Sequence, residues 1–381
     1  MRIVIAPQGF KGTLSGPEAA EAMAEGVRRV APEALVTRCT VADGGHGTLE
    51  ALVSAGGGRR FTASVAGPAG VDVEAEWGAL GDGADAVAVI EMARASGLTL
   101  VPEAARDPMN ATTYGTGQLI AAALDAGYRR VIVGVGGSAT CDGGAGAAQA
   151  LGVRLLDALG AEIPRGAEPL LALERIDLTG RDQRLPEALI QVAVDVSNPL
   201  LGPDGAAMTY GPQKGATEEQ LPVLEEALTH FAAVVERETG VDVRGLRGGG
   251  AAGGLAAGLA AFADAQLVPG AALVCDAVGL DAHLDDADLV MTGEGSIDWQ
   301  TVFDKAPIEV ARRAAKRGVP VIAIGGMLGR GAEDVLSHGV SLLESASGEV
   351  GAPPKDAGEA HAALADATER ALRRALQGGM A

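Results

Sequence analysis

The sequence predicts an α/β protein of two domains, a parallel-sheet domain interrupted by a second α/β domain. Three observations carry this. Short apolar runs ending in glycine-rich turns alternate with helical periodicity towards both ends of the chain. Three runs of alternating polarity between Arg60 and Met92 have the pattern of antiparallel strands. The chain has 381 residues, against about 150 for one domain. Hydrophobic residues make up 48% but aromatic residues only 3%, so Val, Leu, Ile and Ala must fill the cores and helices must approach closely at Gly and Ala.

Ile3 to Ala6 reads as a buried strand, and Ser15-x-x-Glu18 as a capping box opening a helix. Ala20, Met23, Ala24 and Val27 then recur at helical spacing, and Ala34 to Val41 reads as a second strand, completing a βαβ unit. The runs "FTASVAG", "VDVEAEWGAL" and "AVAVIEMA" follow, separated by glycine-rich turns, and a second domain is expected to begin there. Helical periodicity returns from Gly115 to Ala126 and stops at Gly127, after which "RRVIVGVGG" reads as a strand entering a glycine loop. Next come "VRLL", "LIQVAVDV", a helix from Glu218 to Glu238 and the Gly/Ala segment "GGGAAGGLAAGLAAF". Three apolar runs, "ADLVMTGEG", "VPVIAIGG" and "VSLLESA", are spaced by helical stretches and complete the parallel sheet. "GEVGAPPKDAGEA" reads as a loop before a closing helix from His361 to Gln377. This division assigns residues 1–58, about 110–150 and 282–381 to the first domain, and about 59–109 and 151–281 to the inserted one.

The net charge of −20, from 50 acidic against 30 basic residues, argues against a nucleic-acid partner or an anionic membrane surface. An anionic substrate would need a locally positive pocket or a metal recruited by carboxylates. Cys39, Cys141 and Cys275 are odd in number, far apart and without C-x-x-C spacing, which supports neither a disulfide framework nor a zinc site. The chain opens on a strand rather than a signal sequence, and its longest Ala/Gly/Leu run, Ala251 to Ala263, is too short to span a bilayer. A cytoplasmic protein is expected.

Four glycine-rich turns follow strands: "FKG" around Lys11, "VADGGHGT" at Val41 to Thr48, "GVGGSATCDGGAG" at Gly134 to Gly146, and "MTGEGSID" at Met291 to Asp298. Consecutive backbone N–H groups before a helix make an anion site, and a carboxylate in the same turn can ligate the magnesium that accompanies phosphates. The G-x-x-x-x-G-K-[ST] pattern is absent, so a P-loop enzyme is excluded. Gly134-x-Gly136-x-x-Ala139 with Asp157 imitates a dinucleotide fingerprint, but it does not lie at the first βα turn, and an NAD-dependent dehydrogenase is kept only as a runner-up. Asp195 ends a strand-like run before Asn198-Pro199, and Lys214 lies between two turn glycines; for either alone a solvated loop charge is the simpler reading.

Together these segments resemble the bacterial class I glycerate kinase family. The residues carrying the resemblance run in order along the chain: "FKGTLS", "VADGG", "YGTGQLI", "GVGGSAT", "DGGAG", "SNPLLGP", "YGPQKGAT", "GAAGGL", "TGEGSID" and "KAP" at Lys305 to Pro307. The resemblance implies a flavodoxin-like domain interrupted by a restriction-endonuclease-like α/β domain, with the active site in the cleft. It implies transfer of a phosphoryl group from ATP, with magnesium, to D-glycerate, usually on the 2-hydroxyl. A kinase for the 3-hydroxyl or a related hydroxy acid, and a non-catalytic metabolite-binding relative, are the alternatives, and a homodimer is left open.

Carried onto this chain, the resemblance implies Asp195, Lys11 and Asp43 as catalytic residues. It implies Gly44, Gly45, Gly136, Gly137, Ser138, Asp142, Asn198, Lys214, Gly293, Glu294 and Lys305 as substrate- or nucleotide-binding residues, and Asp298 and Asp142 as metal ligands. The chain departs from common family forms at Gln8-Gly9, His46, Cys141, Ser296 and Asp304, all flanking these positions.

Overall fold

Ser15 opens the first helix as its sequence requires. In the computed structural model, which describes residues 1–10, 12–55, 57–303, 305–347, 354 and 356–378, its hydroxyl accepts the Glu18 N–H while the Glu18 carboxylate accepts the Ser15 N–H at 2.8 Å. The helix Gly16–Val30 buries Ala20, Met23, Ala24 and Val27, the face read from their spacing. The chain divides into two compact units: Met1–Asp43, Glu50–Gly57 and Ala271–Ala381 form one, Gly44–Leu49 and Gly58–Gly270 the other.

The first unit holds a five-stranded sheet with every pairing parallel, in the order Leu342–Ser345, Val321–Leu328, Leu289–Ile297, Arg2–Ile5, Leu35–Arg38. Counted within this unit from the far edge, the order is 2-1-3-4-5, that of flavodoxin-like doubly wound sheets, whose ligand crevice opens where the order reverses between strands 1 and 3. Ile3, Ile5, Met291, Ile322 and Ile324 of the sheet pack with Met23, Val27, Leu364 and Leu372 from the helices Gly16–Val30 and Ala357–Leu376. A Cβ on Gly26 would lie 2.6 Å from the Thr368 Cβ, so the two helices meet at that glycine. Close helix approach replaces aromatic filling, as the composition predicts.

The second unit holds a six-stranded mixed sheet in the order Gln266–Pro269, Leu189–Val194, Arg130–Gly134, Val87–Glu91, Asp72–Leu80, Arg59–Ala66. The three strands expected to be antiparallel are so paired with one another. Val87–Glu91 also pairs in parallel with Arg130–Gly134, which pairs in parallel with Leu189–Val194. The segment 110–150 therefore belongs to this unit and not, as expected, to the first sheet. Antiparallel edges on a parallel centre are common in large sheets, so the change of pattern after Met92 marked a change of pairing direction inside one sheet. The first unit likewise resumes at Ala271, earlier than the expected residue 282. Among the described residues no helix is long and apolar enough to cross a membrane.

Candidate active site

In the first unit, the residues expected to bind ligand gather at the reversal of strand order. Gln8 follows the first strand, with its N–H bonded to the Gly293 carbonyl at 2.9 Å, and Glu294 lies on the adjacent strand Leu289–Ile297. Gly293 is required by the packing on its other side, since a Cβ there would clash with the Ile324 carbonyl of the neighbouring strand and lie 3.2 Å from the Met23 Cε.

Glu294 is buried, accepts the Thr301 hydroxyl at 2.8 Å on Oε1 and holds Lys305 Nζ 3.5 Å from Oε2. Burial pushes its carboxyl above the usual range and the nearby Asp43 charge adds to this, while Lys305 and the Thr301 hydrogen bond pull it down. Lys305 is the N-cap residue of the helix Ala306–Ala315, so its ammonium is delivered by a rigid element. Thr301, which the sequence did not single out, also accepts the Asp298 N–H at 3.1 Å, while Asp298 Oδ1 accepts the Gln300 N–H at 2.8 Å. Asp298 thus builds the turn that holds Thr301. Lys11 and Asp304 lie outside the described residues.

Among the described residues no three His, Cys, Asp or Glu side chains form a ready-made metal cage. Magnesium does not require one, because it keeps several waters and takes one or two protein carboxylates besides substrate phosphates. The donors at this sheet end fit such an ion: the carboxylates of Glu294 and Asp298 and the buried Gln8 Oε1, which has no hydrogen-bond partner, are all oxygens.

In the second unit, two glycine loops lie against each other. A Cβ on Gly136 would be 2.7 Å from the Gly45 Cα, and one on Gly44, at φ +94°, 2.7 Å from the Ala193 carbonyl oxygen. Backbone thus meets backbone at Gly44, Gly45 and Gly136, next to Ala193 near the end of the strand carrying Asp195. Gly137 and Ala139 are fastened to Leu98 and Ser96 by hydrogen bonds of 2.9 and 3.0 Å, and Ser138 between them is buried. Glu91, also missed by the sequence reading, accepts the Leu49 N–H at 2.8 Å and pairs with Arg94.

Asp142 corrects an expectation. It has no exposed surface and accepts from Thr113 N at 2.8 Å, the Thr113 hydroxyl at 2.9 Å, Gly144 N at 3.1 Å and Gly146 N at 3.2 Å. Both oxygens are committed to shaping the turn before the helix Ala145–Ala150, which leaves it poorly placed as a metal ligand or direct binding group. Burial raises its carboxyl pKa, opposed by those hydrogen bonds. Lys214 is equally internal, with Nζ donating to the Thr140 carbonyl at 2.7 Å; burial lowers its pKa, and the charges of Cys141 and Asp142 act against that. The segment Ala251–Gly254 closes over the same turn: Ala252 and Gly253 hold φ of 54° and 66°, and a Cβ on Gly254 would lie 2.7 Å from the Gly143 Cα. A non-glycine residue in this region stores strain that the packing must hold.

Asp195 is exposed just beyond the strand Leu189–Val194. Its charge, second to burial, raises the Tyr210 phenol pKa, and that phenol donates to Asn198 Oδ1 at 2.7 Å. Asn198 Nδ2 donates to the Asp204 carbonyl at 2.7 Å, so its amide fixes the turn that follows Asp195.

Fold and site thus define a two-unit α/β protein with an acid–lysine pair at the switch point of one sheet and glycine loops packed beside the central strands of the other. The chain belongs to the glycerate kinase family, whose profile matches residues 3–376. It is 52% identical over 343 residues to a glycerate kinase of Halalkalibacterium halodurans, covering 90% of each chain. It is 47% identical over 351 residues to the glycerate 2-kinase of Escherichia coli K12, covering 92% of each. A solved structure from Salmonella typhimurium LT2, of a protein assigned as glycerate kinase 2, superposes with a TM-score of 0.89 at 46% identity, over 100% of this chain and 99% of that one.

Proposed function

We propose that the chain transfers the γ-phosphoryl group of ATP to D-glycerate, on the 2-hydroxyl, to give 2-phosphoglycerate and ADP in the cytoplasm. The observation that carries this reading is the 47% identity, along 92% of both chains, to a relative named glycerate 2-kinase. Phosphoryl transfer asks little covalent chemistry of the protein; it asks for positioning and for stabilisation of charge on the transferred group.

The residues divide accordingly. Lys305, held 3.5 Å from Glu294, and Lys11 supply cations for phosphate oxygens. The backbone N–H groups of Gly44, Gly45, Gly136 and Gly137, together with Ser138, supply neutral donors. Asp195 takes the proton of the attacking hydroxyl, with Asp43 as the alternative base. Glu294 and Asp298 would hold magnesium, which when bound neutralises phosphate charge. Asp142, Lys214 and Asn198 act through the loops they fix. A coupled ATP assay against a panel of small hydroxy acids, with the phosphate position read by phosphorus NMR, tests the proposal. Turnover of another acid in preference to glycerate, or a 3-phosphate product, would overturn it.

A further inference from the structure

The chain has two Trp, three Tyr and five Phe, and the described structure exposes two of these side chains widely. Trp299 and Phe303 keep 48% and 62% of their surface in solvent and meet edge to face with ring centroids 5.9 Å apart. The other Trp is only 3% exposed and stacks on Phe61. In a protein so short of aromatic residues, holding such a pair in water forgoes burial worth more than that of almost any other side chain.

Their display is built into the loop. The Trp299 N–H donates to the Arg330 carbonyl at 3.0 Å, Thr301 N–H to the Asp298 carbonyl at 3.0 Å, and Phe303 N–H to the Gln300 carbonyl at 3.0 Å. The Thr301 side chain between the two rings is buried and bonded to Glu294. A Cβ on Gly331 would lie 2.9 Å from the Trp299 Cβ, so the neighbouring turn packs closely against the stem of Trp299. Met327 and Leu328, 42% and 40% exposed at the carboxyl end of the adjacent strand, extend the apolar surface.

This surface is continuous in sequence and hydrogen bonding with Glu294 and Lys305, at the carboxyl end of a parallel sheet where open α/β folds place ligands. Its occupant must therefore be flat and apolar on its faces and attached to an anion that Lys305 can meet. We infer that Trp299 and Phe303 form the stacking platform for the base of the phosphoryl-donor nucleotide. None of the buried polar atoms lacking a partner among the described residues belongs to this loop. Stacking tolerates any base because every base offers a π-face, so the platform takes GTP within about tenfold of ATP. The inference rests on the proposed function only for the presence of a nucleotide.

With two tryptophans in the chain, the test needs no turnover. In a Trp77→Phe variant, Trp299 alone reports; ATP and GTP are expected to quench its fluorescence, and inorganic tripolyphosphate, which has no base, is not. The quench should survive in Trp77→Phe and vanish in Trp299→Phe. By steady-state kinetics, Trp299→Ala and Phe303→Ala should each raise KM for ATP roughly five- to 150-fold, the range set by losing one base–aromatic stack, and move KM for glycerate less than twofold. Trp299→Phe should recover most of the loss. Equal quenching by tripolyphosphate, or an unchanged KM for ATP in both alanine variants, would overturn the inference. So would a shift from dimer to monomer without a change in KM, since a second copy would then be the occupant. Should the wild-type chain bind ATP with quenching but leave glycerate untouched, the proposed function fails and the platform stands.

Discussion

Lys214 donates from Nζ to the carbonyl oxygen of Thr140 at 2.7 Å while keeping only 2% of its surface exposed. A lysine is among the costliest residues to bury, and this one anchors the turn that Asp142 organises from within. Lys214→Met should destabilise the protein by roughly 1–3 kcal/mol, the cost of leaving the buried Thr140 carbonyl without its donor. Urea unfolding checks this. An unchanged midpoint with a raised KM for ATP would instead make Lys214 a direct ligand group.

Glu294→Gln separates catalysis from stability. Burial holds the native carboxyl above its ordinary value of 4.5, so between 4.5 and that raised value the folded chain binds more protons than the unfolded one. The contribution of Glu294 to stability is therefore full below 4.5 and is lost as pH rises through the folded value. Relative to wild type, the Gln variant should gain stability as pH rises through this window, while losing activity. A stability difference independent of pH would refute the assignment.

The capping box of Ser15 and Glu18 was legible because its partners are three residues apart and its geometry is local. The antiparallel run of Arg59–Ala66, Asp72–Leu80 and Val87–Glu91 was legible through its alternation. The sheet membership of Arg130–Gly134 was not, since a buried parallel strand has the same apolar pattern beside either neighbour and pairing is set by contacts far along the chain. The same limit hid the role of Asp142, whose main partner Thr113 is 29 residues away, and of Thr301, whose hydroxyl reaches back to Glu294. Glycine spacing marked the loops but could not tell a residue that shapes a turn from one that faces a ligand.

Lys11 sits between Phe10 and Gly12 in the first loop, and its proposed task is to meet an anion. Lys11→Ala should lower kcat/KM by at least about tenfold, the loss of one charge-assisted contact to an anion, without altering the unfolding midpoint. Unchanged kcat/KM would return it to a surface charge.

Activity should require a divalent cation, because ATP approaches a chain of net charge −20 and the carboxylates Glu294 and Asp298 stand at the sheet end where its phosphates are proposed to bind. Adding excess chelator should abolish turnover, and magnesium should restore it. Undiminished activity in chelator would remove the metal from the proposal.

Asp195 is proposed as the base because it is exposed at the end of an apolar strand, with the following turn fixed by Asn198 through Tyr210 and the Asp204 carbonyl. A general base contributes about 10²–10⁴-fold, and a loose phosphoryl-transfer transition state depends more on its phosphate-binding groups. Asp195→Asn should therefore lower kcat by about that factor, with nucleotide binding retained in an equilibrium titration. The substitution removes a charge near Tyr210, so the phenol pKa should fall towards its ordinary value, a shift that spectrophotometric titration can follow. Loss of nucleotide binding, or near-normal kcat, would transfer the role to Asp43, whose Asn variant would then show the kcat loss in its place.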